Sequence, residues 1–160
     1  MKKILVDSSS AILLYKAGMF TRLTEVYQVM LAEVVLTELI CDGYQGSSAF
    51  KESDVTVFRV STETSAPFGK GERDTIAGYL QGLGDFVLTD DGAAPRYCKD
   101  NGIPFINALL APKVLCLGGA IDETEQQRAT ILLLELGRYS RKVIEYAEDC
   151  GRRELRFFIP

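Results

Sequence analysis

Histidine is missing from all 160 residues. Its absence removes the Ser-His and Cys-His catalytic pairs and the commonest nitrogen ligand for zinc. Any metal chemistry must therefore rest on oxygen ligands, and carboxylate oxygens suit magnesium or manganese. Long apolar runs are missing as well. No stretch approaches the roughly 18 apolar residues of a membrane span, and the short run after Lys2 and Lys3 is cut at Asp7, before it could serve as the hydrophobic segment of a signal peptide. A cytoplasmic protein with no membrane partner is expected. The four cysteines (Cys41, Cys98, Cys116 and Cys150) follow no CxxC or zinc spacing and read as reduced, mostly buried thiols. Charge of one sign is not abundant either. The net charge is −4, so a nucleic-acid ligand would need a local basic patch.

What is present is an ordinary globular composition, 47% hydrophobic and 25% charged, in a chain long enough to bury its own core. One domain over 1–160 is expected, with C-terminal helices from about residue 122. Ile4-Leu5-Val6 reads as a strand buried on both faces. Ser8, Ser9 and Ser10 offer caps for a helix running toward Gly18. A second helix is expected from about Thr21 to Met30. Val34-Val35-Leu36 is another short apolar run, with a helix starting at Thr37 as its cap.

Residues 43–48 read as a loop, Val55–Val60 as a strand, and Ser61–Lys70 as a loop. A helix opens at Gly71 with Ile76, Ala77, Leu80 and Leu83 on one stripe and closes at Gly84. Phe86-Val87-Leu88 is a strand, followed by a turn and a helix to about Asn101. Pro104-Phe105-Ile106 is the next strand. Asn107 caps a helix toward Leu117 that Pro112 should kink or shorten. Helices from Asp122 to Leu136 and from Ser140 to Cys150 follow, and Leu155–Ile159 is a last strand or a docked tail. Alternating strands and helices predict a parallel sheet with right-handed crossovers, which binds ligands outside the carboxyl ends of its strands.

Acidic residues fall at those ends. Asp7 follows the first strand, and the neighbouring serines leave it free of capping duty. Asp90 and Asp91 follow a later strand, where adjacent carboxylates repel unless a cation is near. Glu38, Glu72 and Asp74 sit in first turns of helices, where the helix dipole alone would account for each of them. Gly69-Lys70-Gly71 is not a P-loop, because it lacks the required spacing and follows no strand.

Four segments occur in order: Val6-Asp7-Ser8-Ser9, Val34-Val35-Leu36-Thr37-Glu38-Leu39, Gly71-Glu72-Arg73-Asp74-Thr75-Ile76-Ala77 and Leu88-Thr89-Asp90-Asp91-Gly92-Ala93-Ala94-Pro95-Arg96. Together they resemble the PIN-domain superfamily, in the branch with a Gly-Glu-x-x-x-Ile-Ala helix and a Thr-Asp-Asp turn, over about Lys3 to Leu117. The resemblance implies a three-layer α/β/α fold around a mainly parallel sheet. It also implies a magnesium- or manganese-dependent endoribonuclease, often the toxin of a toxin–antitoxin pair, in which metal-activated water cleaves RNA phosphodiester bonds.

On that resemblance Asp7, Glu38, Glu72 and Asp91 are the catalytic acids, and Asp90 joins them as metal ligand, with Asp74 an extra acid. Ser8, Thr89, Arg96, Lys70 and Arg73 are the expected substrate contacts, with Lys99 nearby. Asn107-Ala108-Leu109-Leu110 departs from the Gly-Thr-Leu-Gly-like stretch of many relatives. Expected partners are RNA, an antitoxin protein and a second copy of the chain, the last two received on apolar C-terminal helix surface near Ile131–Leu136. The rival reading is a non-catalytic PIN-fold module that binds RNA or protein. A haloacid-dehalogenase-type phosphatase ranks low, since it wants a second Asp two residues after the first, and Ser9 stands there.

Overall fold

The computed structural model describes residues 1–41, 50, 55–61, 68–90 and 92–160. Its centre is formed by the two most apolar short runs. β1 (Lys3–Val6) and β4 (Phe86–Leu88) lie side by side in parallel, and Ile4, Leu5, Val6, Phe86, Val87 and Leu88 are all fully buried. Burial on both faces is why these strands are apolar throughout instead of alternating. β2 (Gln28–Ala32) and β3 (Val55–Phe58) extend the sheet on one side, and β5 (Phe105–Ile106) on the other. The order is β3-β2-β1-β4-β5, with every neighbouring pair parallel. The chain thus winds outward one way from β1, then returns and winds the other way. The carboxyl ends of β1 and β4 flank the point where the direction reverses, which is where open α/β sheets form their ligand crevice.

The helices are α1 (Ser8–Lys16), α2 (Phe20–Val26), α3 (Glu33–Cys41), α4 (Lys70–Leu80), α5 (Ala93–Asp100), α6 (Ala111–Leu117), α7 (Glu123–Leu136), α8 (Arg141–Asp149) and the short α9 (Arg152–Leu155). They cover the sheet in an α/β/α arrangement. A buried apolar cluster runs from Ile4 to Leu155, so the C-terminal helices pack onto the same core. α4 crosses β1, β2 and β4. It approaches closely because Gly78 has no side chain: a Cβ there would stand 2.6 Å from the Phe58 ring and 2.8 Å from Leu5.

Three expectations are corrected. The helix expected to reach Met30 ends at Val26, and Gln28–Ala32 is strand β2. An apolar run of this length has no periodicity that separates buried helix from buried strand. Conversely, Val34-Val35-Leu36 lies inside α3, where Val35 and Leu39 are buried one helical turn apart and Thr37 is no cap: its hydroxyl donates to the Glu33 carbonyl at 2.8 Å. Leu80 is 56% exposed and lies off the buried stripe of Ile76 and Ala77, and α4 ends at Leu80, short of Gly84.

The remaining elements agree closely with expectation. Asn107 caps a 3-10 turn at Ala108–Leu110, and Pro112 falls in the first turn of α6, where it is tolerated. Asp122 and Ser140 cap α7 and α8. The final residues are a docked tail, held where Tyr27 donates to the Phe158 carbonyl at 2.6 Å and Lys2 to that of Phe157 at 2.8 Å. The loop expected at 43–48, and most of that at 61–70, lie outside the described residues.

Candidate metal centre

Register brings the first two acids together. Val6 pairs with Leu88, so Asp7 and Thr89 end adjacent strands side by side, and the Asp7 amide still donates to the Leu88 carbonyl at 3.2 Å. Asp7 is fully buried. It caps α1 itself, Oδ1 accepting from the Ser10 amide at 2.8 Å, which corrects the expectation that the serines would do so. Ser8 and Ser9 instead form the first turn of α1, with Ser8 half-buried. Ser10 joins the two acids: its amide binds Asp7, and its hydroxyl donates to Asp90 Oδ2 at 2.7 Å.

Asp90 also accepts from the Ala108 amide at 2.9 Å and, on Oδ1, from the Tyr139 hydroxyl at 2.8 Å. Tyr139 has no signal in the sequence. It lies 49 residues away, on the link between α7 and α8, and only the packed C-terminal helices deliver it.

The electrostatics follow from burial. Desolvation pushes the Asp7 carboxyl up to about 7, with a smaller push from the Asp90 charge. The Ser10 bonds and the nearby Thr89 hydroxyl pull it partly back. The Thr89 hydroxyl, itself buried, faces the carboxylate without the geometry of a full hydrogen bond, and Asp7 Oδ2 is left buried with no partner. Burial raises Asp90 as well, against the three hydrogen bonds it accepts. Burial and the Asp7 charge raise the Cys98 thiol to about 12, which keeps it protonated and leaves no thiolate beside the site.

The helical acids approach the same edge. α4 connects parallel strands, so its N-terminus lies at the carboxyl ends of the sheet. Glu38, half-buried on α3, lays its carboxylate against Gly71 in the first turn of α4; a Cβ on Gly71 would come within 3.1 Å of Oε2. Glu72 folds back over Gly69, whose added Cβ would meet its Oε2 at 2.3 Å. Asp74 is paired with Lys70 at 3.3 Å. Asp91 lies outside the described residues. Among the described residues, no group of three or more acids or cysteines is placed to hold a metal ion.

A hard divalent cation nonetheless suits the donors that are here. They are carboxylate oxygens, and one of them, Asp7 Oδ2, is a buried acceptor with nothing to accept from.

The expected basic contacts divide between two places. Lys70 and Asp74 line a hollow of about 360 Å³ with Glu33 and Arg59. Arg96 is exposed on α5 and lines a larger cleft with Asp90 and Lys99. Arg73 is half-buried on α4.

No family model matches the chain, and no curated protein matches it. Among solved structures it is similar to a PilT N-terminus (PIN) domain protein from the hyperthermophilic archaeon Sulfolobus solfataricus P2. The TM-score is 0.50 and the identity 13%, over 87% of this chain and 99% of that one. At that identity the likeness is one of fold: a five-stranded parallel sheet between helices, in the PIN arrangement.

Proposed function

We propose that this chain is a metal-dependent endoribonuclease. One observation carries the reading. Asp7 and Asp90 meet through Ser10 at the sheet's reversal point, and Asp7 keeps a buried oxygen without a partner. Asp7 would hold a magnesium or manganese ion through that oxygen, with Glu38, Glu72, Asp90 and Asp91 as the further carboxylates. Such an ion supplies a water of lowered pKa and neutralises charge developing on the phosphate. The protein's own part is positioning: Ser10 and Tyr139 fix Asp90, and the α1 cap fixes Asp7. Ser8, Lys70, Arg73 and Arg96 are the residues we assign to RNA; Thr89, expected beside them, is 1% exposed and faces Asp7, so its part is to support that carboxylate.

The toxin reading rests on the sequence resemblance, together with exposed Ile131, Leu134 and Leu136 on α7, apolar surface that an antitoxin helix or a second copy of the chain would cover.

The test is to melt the protein with and without manganese and to follow single-stranded RNA in the same tubes. The ion should raise the melting temperature by mass action and switch on cleavage, and chelator should remove both effects. Calcium, larger and looser in coordination, should stabilise with little cleavage. RNA left full length, total cellular RNA included, beside a clear melting shift would overturn the nuclease reading. The non-catalytic binding module would then stand. That second reading is favoured by the lack of three converging acids among the described residues.

A further inference from the structure

The cleft that begins at Asp90 is larger than a metal site requires. It has a volume of about 770 Å³ and runs between α5 and the C-terminal segment that carries α8. That volume is in the range of small-molecule sites. Its charge is opposite to that of the whole chain. Arg96, Lys99, Arg138 and Lys142 line it, and Asp90 is the one acid among its described lining residues. None of the four cations is in an ion pair or side-chain hydrogen bond with another described residue. Asp90 is paired with none of them: both its oxygens are turned to Ser10, Ala108 and Tyr139.

The helices framing the cleft run against the usual charge pattern. α7 begins with Glu123 and Glu125, as the helix dipole favours. α5 has no acid in its first turn, and α8 opens on Arg141, which Glu145 pairs at 2.7 Å outside the cleft, and on Lys142, which lines it. Cations at a helix N-terminus are locally unfavourable, and an anion seated between them removes the penalty. The cleft wall is also aromatic. Tyr146 lines it with 57% of its surface exposed.

We propose that this cleft binds a nucleoside phosphate, with its phosphate among Arg96, Lys99, Arg138 and Lys142 and its base stacked on Tyr146. Cations give the phosphate an electrostatic seat, and an exposed ring gives any base a face to stack on. The nucleotide is either free or one unit of an RNA strand; in the second case the cleft deepens the nuclease reading and rests on it, by seating the nucleotide beside the acids.

Binding is measured on the full chain in excess chelator, so that the metal centre plays no part. The probes are adenosine 5′-monophosphate, a single-stranded RNA of four adenosines, and inorganic pyrophosphate. Saturable binding of the nucleotide or the oligonucleotide is expected, and the tighter of the two identifies the source. Arg138→Ala with Lys142→Ala should weaken it at least tenfold and make the oligonucleotide's log–log salt slope shallower by about 1.4, roughly 0.7 for each cation lost. Tyr146→Ala should cost about tenfold. Arg128→Ala with Arg153→Ala removes the same charge outside the cleft and should change neither affinity by more than twofold.

Two results overturn the proposal. One is no saturable binding, or an equal loss in the outside variant. The other is pyrophosphate binding as well as the nucleotide with Tyr146→Ala silent, which would make the cleft an anion site with no base recognition. Metal-dependent cleavage that persists beside either result sinks the cleft alone. Nucleotide binding in chelator without metal-dependent cleavage sinks the nuclease reading alone.

Discussion

Asp7 is placed where its charge is expensive, and the expense has a sign. Its carboxyl rises to about 7 from an ordinary value of 3.8 because burial penalises the ionised form. The unfolded chain loses this proton near pH 4, and the folded protein keeps it until about pH 7. The stability Asp7 contributes is therefore fully present below pH 4 and is lost as pH rises to 7. Metal-free protein should lose stability across that window, by roughly a factor of ten in unfolding constant per pH unit from this group alone. Denaturant melts in chelator at pH 5, 6, 7 and 8 check it.

Asp7→Asn keeps an acceptor for the Ser10 cap and removes the titration. Its melts should be flatter across the same pH series, and it should be more stable than the parent at pH 8. The same variant should lose metal-dependent RNA cleavage by a factor of about 100 or more, since it removes a charge from a hard-cation site. Cleavage unchanged in the folded variant would remove Asp7 from the site.

Two elements depend on single residues whose importance the local sequence hides. In α4, Gly78 sits mid-helix, where alanine would gain about 1 kcal/mol by propensity. Packing reverses that sign, because the added Cβ would overlap Phe58 and Leu5. Gly78→Ala should destabilise by about 1–3 kcal/mol, as overpacking of a close-packed interior does; a more stable variant would show that α4 can slide on the sheet. In α8, Lys113 reaches over from α6 and donates to the Glu148 and Cys150 carbonyls at 3.0 and 2.8 Å, and to Ala147 as well. Its ammonium thus satisfies carbonyls at the helix end and meets the negative end of the dipole. Lys113→Met should cost about 1–3 kcal/mol, and hydrogen exchange should show α8 opening before the sheet does.

For the whole molecule, metal binding and folding are one equilibrium. An ion that binds the folded state through Asp7 must find it ionised, so the ion competes with a proton held up to about pH 7. At a fixed manganese concentration the rise in melting temperature should be larger at pH 8 than at pH 6 and should vanish with chelator. An equal rise at both values would place the ion on carboxylates other than Asp7. Among the described residues no helix is long and apolar enough to cross a membrane.

The sequence by itself determined the elements whose signals are local. Ile4–Val6 and Phe86–Leu88 read as strands because each short apolar run is closed at once by turn or cap residues, Asp7-Ser8 after one and Thr89-Asp90 after the other, and Asp122 and Ser140 start helices because their oxygens bond amides three residues on. It also brought Asp7 and Asp90 to one edge, since each follows a central strand. It could not separate β2 from a helix or α3 from a strand, because Val29–Leu31 and Val34–Leu36 are equally apolar and only their packing partners differ. Nor could it deliver Tyr139 to Asp90, or Arg138 and Lys142 to the cleft of Arg96. Those meetings depend on how α7 and α8 fold back on the sheet, a matter of long-range packing that no spacing along the chain encodes.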